Sequence, residues 1–222
     1  MIKRCIDIVV SLLGLLVFLP FGLVIVVILK LSGEGEVFFR QPRVGKGGRT
    51  FGLLKFATML KDSPNMGTGL LTVQDDPRVL PFGRFLRKAK LNEVPQLLNI
   101  LAGDMSVIGP RPQAVPHFML FPEHVRTEIT KVRPGLSGIG SIVFRDEERL
   151  LNSNSGSVTE TYASEISLYK GELEVWYVKN QTLWVDFLLF VLTAWVIVFP
   201  GSRIVDRVFK DLPKSDLFQR RT

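Results

Sequence analysis

The apolar positions of this chain are gathered into runs. From Ile6 to Leu29 they continue almost unbroken, interrupted by Asp7, Ser11, Gly14, Pro20 and Gly22. At about 24 residues the run is long enough to cross a bilayer, which needs about 20. It is too long for a signal peptide, and a proline sits in its middle. Proline inside a helix removes a hydrogen bond and clashes one turn back, so a sharp kink is predicted at Pro20. A second run, Leu183 to Phe199, is interrupted by Asp186 and Thr193 and stops at Pro200-Gly201. At about 17 residues it sits at the short limit for spanning. A helix lying in the interface, or packed against the first run, accounts for it equally well.

Between the runs the pattern shortens. Residues 37–56 read as two short strands around Gly45-Lys46-Gly47-Gly48, a hairpin pattern. The turn lacks the ending and following helix of a P-loop, so Lys46 and Arg49 read as solvated. Lys55, between Leu54 and Phe56, is different: a lysine in an apolar run needs an anionic partner. Residues 61–77 form a polar loop closed by Asp75-Asp76-Pro77-Arg78, where a turn or helix start is favoured over a metal site.

Val79 to Lys90 alternates apolar and basic residues as a helix on a core or membrane surface does. Asn92-Glu93 then stands before a helix marked by Pro95; Asn92 reads either as an N-cap or as a site residue. The turn-rich run Gly103–Pro112 adds Asp104 and Arg111, and Arg133-Pro134-Gly135 holds another arginine in a rigid turn. His117 and His124, in a proline-punctuated region, read as structural or surface residues. Residues 151–160 read as a polar loop, and Tyr162–Lys170 and Leu173–Gln181 as helices.

The expected fold is α+β and mainly helical, with a short β-hairpin and interfacial helices. Three parts are expected: a membrane helix over 1–30, a cytoplasmic domain over 31–182, and a membrane-associated helix with a basic tail over 183–222.

Charge changes this picture in two ways. Lysines and arginines exceed acids by 28 to 21, for a net charge of +7, which favours an anionic partner such as lipid headgroups, nucleic acid or phosphorylated metabolites. Basic residues also flank the first run on both sides, Lys3 and Arg4 before it and Lys30, Arg40 and Arg43 after it. The positive-inside rule draws both flanks to the cytoplasm. A re-entrant helix turning at Pro20 satisfies both, whereas a straight span strands Lys3 and Arg4 outside. The tail, with Arg203, Arg207, Lys210, Lys214, Arg220 and Arg221, has the same character. Nucleic acid is disfavoured, because the cations are interleaved with membrane-seeking segments and no known nucleic-acid module is present. Single Cys5 excludes an intramolecular disulfide and a cysteine zinc site. With two histidines as well, any metal is expected to be oxygen-ligated Mg²⁺.

Several motifs in order resemble one family. They are Lys3-Arg4 and Asp7 before a proline-broken helix, Phe39-Arg40-Gln41-Pro42-Arg43-Val44-Gly45, Lys55-Phe56, Asp76-Pro77-Arg78, Leu86-Arg87, and Glu93-Val94-Pro95-Gln96-Leu97. Gly103-Asp104-Met105-Ser106, Gly109-Pro110-Arg111-Pro112, Arg133–Gly138 and Tyr177-Val178-Lys179-Asn180 follow. Together they resemble the bacterial sugar transferases, monotopic polyprenyl-phosphate phosphoglycosyl transferases, in a compact core-only form.

The resemblance implies transfer of a sugar-1-phosphate from a UDP-sugar to polyprenyl phosphate, with release of UMP, to start a surface glycan. It implies Mg²⁺, a carboxylate nucleophile, and a catalytic domain on the cytoplasmic face of the bacterial inner membrane, in contact with lipid. A homodimer is compatible with it. Glu93 is then the best candidate for the essential carboxylate, with Asp104 as another. Glu93 and Asn92 would ligate the metal, and Lys55, Arg87, Arg111, Arg43 and Arg133 would bind the substrate phosphates. Two positions depart from the family pattern. Asn92 stands where the family usually carries Asp, and an amide cannot be the nucleophile. Ala57 stands where it usually carries Arg. A catalytically impaired scaffold that binds nucleotide sugar or anionic lipid is the alternative.

Overall fold

In the computed structural model, residues 1–67, 72, 75–145, 167–199, 202 and 204–214 are described. The loop expected at 151–160, Pro200-Gly201, Arg203 and the tail arginines Arg220 and Arg221 lie outside the described residues.

Helix α1 (Ile2–Leu31) is a single helical element with Pro20 inside it. The proline expected to break the run does not end the helix. One stripe of α1 faces the rest of the protein at spacings of three or four residues: Asp7, Ser11, Gly14, Phe18, Gly22, Ile25 and Leu29. Asp7, a carboxylate in an apolar helix, accepts from the Val107 backbone N–H at 2.9 Å and from Ser106 Oγ at 2.9 and 3.0 Å. Further along the stripe, Ile25 and Leu29 pack with Phe56 and Leu86. The opposite face leaves Ile6, Leu13, Leu16, Val17 and Val24 exposed.

The hairpin forms as its pattern predicts. Strands β1 (Phe38–Val44) and β2 (Thr50–Phe56) pair antiparallel, with Phe39 opposite Lys55 and Arg43 opposite Phe51. Lys46 and Arg49 are exposed at its turn. Helix α2 (Pro81–Lys88) starts with Pro81 in its first turn, and a 3₁₀ turn (Leu91–Glu93) leads into α3 (Gln96–Ala102). The N-cap of α3 is Pro95, with no capping side chain; Asn92 is therefore not its cap. Asn99 ties α3 to β2, accepting from the Leu54 N–H and donating to the Gly52 carbonyl, each at 2.9 Å.

Two further strands lie in runs that read as turns. β3 (Ser106–Ile108) and β4 (Gly135–Ser137) pair in parallel, across a connection holding α4 (Val115–Met119) and α5 (Glu123–Ile129). A Cβ on Gly135 would lie 2.1 Å from the Gly109 nitrogen, so the pair closes only with glycine there. After α6 (Ile139–Val143) comes α7 (Ser167–Asn180), one continuous helix where two were expected. Gly171 lies within it because a side chain would meet Val125 at 2.9 Å.

Helix α8 (Leu183–Val198) buries Leu189, Leu192 and Val196 in the largest apolar cluster, with Ile108, Ile139, Leu173 and Tyr177. Its other face exposes Trp184, Phe187, Phe190 and Ile197. Lys3 at the start of α1 pairs with Asp186 of α8 at 2.6 Å, and Tyr177 donates to the same carboxylate at 2.6 Å. Keeping a large apolar side chain out of water is worth about 1.5–3 kcal/mol, so these two bare faces favour leaving it. Among the described residues α1 alone is long and apolar enough to cross a membrane, and few of its residues are buried. These bare faces are the surface a membrane-associated protein presents.

Candidate active site

Four local structures bring the charged residues together. β2 contributes Lys55 and β1 contributes Arg43. The end of α2 and the turn after it contribute Arg87, Lys90, Asn92 and Glu93, and the loop after β3 contributes Arg111. Lys90 adopts a left-handed backbone (φ 57°) that turns the chain from α2 into the 3₁₀ turn.

Arg111 donates to Glu93 Oε1 at 3.3 Å and, through its other terminal nitrogen, to Ser141 Oγ at 3.4 Å. Arg43 is braced by Gln41 Oε1 at 2.6 Å and the Pro112 carbonyl at 3.2 Å. Arg87 leans on the Met59 sulfur. Asn92 is buried, and its Oδ1 has no hydrogen-bond partner.

Electrostatically the cluster holds more positive than negative charge. Burial, together with Arg43, Arg111 and Arg87, pushes the Lys55 ammonium down to about 7, with Glu93 pulling the other way. Burial alone would raise Glu93, but Arg111, Lys55 and Lys90 hold it down at about 2. Glu93 is therefore ionised at any physiological pH. An anion with two or more charges would neutralise this surplus of cations.

The oxygens a hard cation could take here are the Glu93 carboxylate and, one residue before it in the 3₁₀ turn, the buried and unpartnered Asn92 Oδ1. Among the described residues no group of three or more His, Cys, Asp or Glu is placed to hold a metal. Mg²⁺ at phosphate sites uses one or two protein carboxylates and takes its other ligands from phosphate and water. The pair fits such a site and does not fit a cage built of protein ligands alone.

The other sequence candidates lie elsewhere. Arg133 donates to the Gly103 carbonyl at 2.8 Å and is a surface brace there. Asp104 follows the C-cap of α3, whereas Glu93 precedes that helix, and it accepts from Asn99 at 3.4 Å. Asp76 is spent on Arg78 in a buried pair at 2.6 Å, with Arg78 also donating to the Ser63 and Met66 carbonyls. His124 pairs with Glu172 on the surface. Ala57 is buried, its N–H donated to the Val37 carbonyl.

Sequence reasoning missed Ser141, Lys90 and Glu174, whose Oε1 accepts the Arg111 backbone N–H at 3.1 Å. The available signal for Glu174 was a charge four residues after Lys170 on an otherwise apolar helix face with Leu173 and Tyr177.

Comparison with known proteins gives this geometry its setting. Residues 1–200 match the family of bacterial sugar transferases. The chain belongs to that family. Among curated relatives, a UDP-N-acetylgalactosamine-undecaprenyl-phosphate N-acetylgalactosaminephosphotransferase of Aeromonas hydrophila is 35% identical over 191 residues, 85% of this chain and 41% of its own length. A UDP-glucose:undecaprenyl-phosphate glucose-1-phosphate transferase of Escherichia coli K12 is 34% identical over 196 residues, 87% of this chain and 39% of its own. The exopolysaccharide production protein ExoY of Rhizobium meliloti is 32% identical over 203 residues, covering 85% and 82% of the two chains. This sugar transferase thus spans about two fifths of the longer relatives and most of ExoY.

Proposed function

We propose that this sugar transferase moves a sugar-1-phosphate from a UDP-sugar to polyprenyl phosphate at the cytoplasmic face of the inner membrane, as the first step of a surface glycan. The observation that carries the proposal is the ionised Glu93 set among Arg111, Lys55 and Lys90, beside a buried amide oxygen with no partner. Two relatives named for transfer to undecaprenyl phosphate support it.

In this reading Arg43, Lys55, Arg87 and Arg111 take the donor diphosphate, and Glu93 with Asn92 Oδ1 holds Mg²⁺. The metal, when bound, offsets the charge that builds on the phosphate oxygens. A carboxylate held at about 2 and paired with a guanidinium is a weak nucleophile, so Glu93 organises the phosphates and does not attack them. An oxygen of polyprenyl phosphate attacks the phosphorus that bears the sugar. The bond from that phosphorus to the oxygen bridging to UMP breaks, and UMP leaves with the electron pair. The product is polyprenyl diphosphate sugar.

The test is UMP release from a panel of UDP-sugars with polyprenyl phosphate and Mg²⁺. Wild type should turn over, and Glu93→Gln should lose about 10²-fold or more. Asn92→Asp places an unpaired carboxylate in a buried position, where desolvation raises its basicity. It should raise turnover about tenfold or more and allow a covalent phosphosugar adduct to be trapped. No release by wild type with any donor would sink the reading. A second reading, a non-catalytic scaffold that binds nucleotide sugar, rests on Asn92 and ends if UMP appears.

A further inference from the structure

Two of the side chains that hold Arg111, those of Glu174 and Ser141, lie outside the charged cluster. The Arg111 backbone N–H donates to Glu174 Oε1 at 3.1 Å, and its guanidinium reaches both Ser141 and Glu93. Glu174 projects from the middle of α7, 1% exposed, and its Oε2 has no hydrogen-bond partner. A buried carboxylate with an unmet oxygen costs several kcal/mol against an apolar side chain of like size. Packing alone would favour Leu or Met here.

The neighbouring helix is shaped to accept that carboxylate. A Cβ on Gly140 of α6 would lie 2.3 Å from Glu174 Oε1, so glycine leaves the space the oxygen occupies. The next residue, Ser141, is the one that reaches the Arg111 guanidinium. Lys170, one turn before Glu174 and also buried, lies 5.5 Å above the Phe144 ring; its charge works against the burial that pushes the Glu174 carboxyl up to about 7. Consecutive residues of one short helix thus serve the two ends of Arg111, one by making room for the acceptor of its backbone and one by bracing its side chain.

We infer that Glu174 is a positioning residue that, with the Gly140-Ser141 step, fixes the Arg111 loop so that the guanidinium faces Glu93 and the donor diphosphate. The ligand named here rests on the transferase reading above. Arg111 touches substrate in that reading, and Glu174 acts through it.

The experiment uses the full chain in nanodiscs, with kcat and KM for UDP-sugars and the affinity for inorganic pyrophosphate as separate readouts. Glu174→Ala and Gly140→Ala should each lower kcat about tenfold to 10²-fold, as misplacement of a clamp by about 1 Å does. Each should also weaken pyrophosphate binding about tenfold. Glu174→Gln keeps an oxygen acceptor for the Arg111 N–H and should stay within about threefold of wild type. In an Arg111→Ala background, Glu174→Ala should cost nothing further. If Glu174→Ala does not fold, Gly140→Ala decides, because there the conflict is with the movable end of a side chain.

Wild-type kcat and pyrophosphate affinity in Gly140→Ala and in folded Glu174→Ala would overturn the inference alone. Full additivity with Arg111→Ala would overturn it too. Absence of wild-type turnover, with pyrophosphate binding still lost in these variants, would overturn the transferase reading and leave the positioning role standing.

Discussion

Lys55 sits partly buried beside Arg43, Arg87 and Arg111, so at pH 7 its neutral and charged forms are about equally populated until an anion arrives. A bound diphosphate would raise its pKa, and binding would then take up a proton. Donor affinity should accordingly be full below pH 7 and fall as pH rises through 7 toward the pKa of the complex. Isothermal titration in buffers of different ionisation enthalpy measures that uptake. The stability sign is opposite to that of a paired lysine. The folded pKa of about 7 lies below the ordinary 10.5, so between these values the unfolded chain holds a proton the folded one lacks. Lys55 therefore destabilises the fold below pH 7, and the penalty is relieved as pH rises from 7 to 10.5. Lys55→Met should raise the melting temperature at pH 6 by a few degrees, roughly 1 kcal/mol, while lowering turnover about 10²-fold. A drop in both would mean the ammonium is tied into the fold more than into the site.

Among the elements, the β3–β4 pair depends most on single atoms. Gly135 has the Gly109 nitrogen 2.1 Å from where a Cβ would be, and the Ser137 carbonyl at 2.4 Å. Backbone cannot yield as a side chain can, so Gly135→Ala should cost about 3 kcal/mol or more and shift the urea midpoint accordingly. Gly47→Ala, with open space around it, carries only the strain of its positive φ (69°) and should cost about 1 kcal/mol.

The same contrast explains what the sequence could reveal. The hairpin was legible because seven-residue strands flank a glycine turn, and α1 and α8 because their apolar runs are long. β3 and β4 were not, since three residues each between Gly and Pro carry no period, and their pairing is a matter of backbone approach. In α7, Gly171 falls between the two expected helices and lies where a Cβ would meet Val125 at 2.9 Å. At the site, Glu93, Arg111, Lys55 and Arg87 stood out as charges in apolar or motif settings. Arg133 and Asp104 looked no different, because a chain does not display whether an arginine meets a phosphate or a backbone carbonyl. Glu174 was hidden for a related reason: its partner is a backbone N–H 63 residues away.

At the scale of the whole molecule, both ends of α1 rest on one folded body. Lys3 donates to the Ile108 carbonyl at 2.9 Å, and Arg4 donates to the Ile100 and Leu101 carbonyls at 2.6 and 2.9 Å. At the far end, Leu29 is 1% exposed in a cluster with Phe56 and Leu86. A straight helix of 30 residues is about 45 Å long, and the hydrocarbon layer is about 30 Å thick. A helix that crossed the bilayer would carry one of its ends away from a body seated on the other side. Both ends keep their contacts if α1 bends at Pro20, where one backbone hydrogen bond is already missing, and enters a single leaflet. The basic pair Lys3-Arg4 then lies on the same side as Lys30, as the charge pattern favours. Cys5, the single cysteine, is exposed one residue beyond that pair and reports the side directly. A membrane-impermeant maleimide should label it in inverted inner-membrane vesicles and leave it unlabelled in intact spheroplasts. Labelling in intact spheroplasts would place the N-terminus outside and establish a simple span. If Pro20→Ala straightens the helix, it should weaken the Lys3 and Arg4 contacts and make Cys5 reactive from outside in a measurable fraction of molecules.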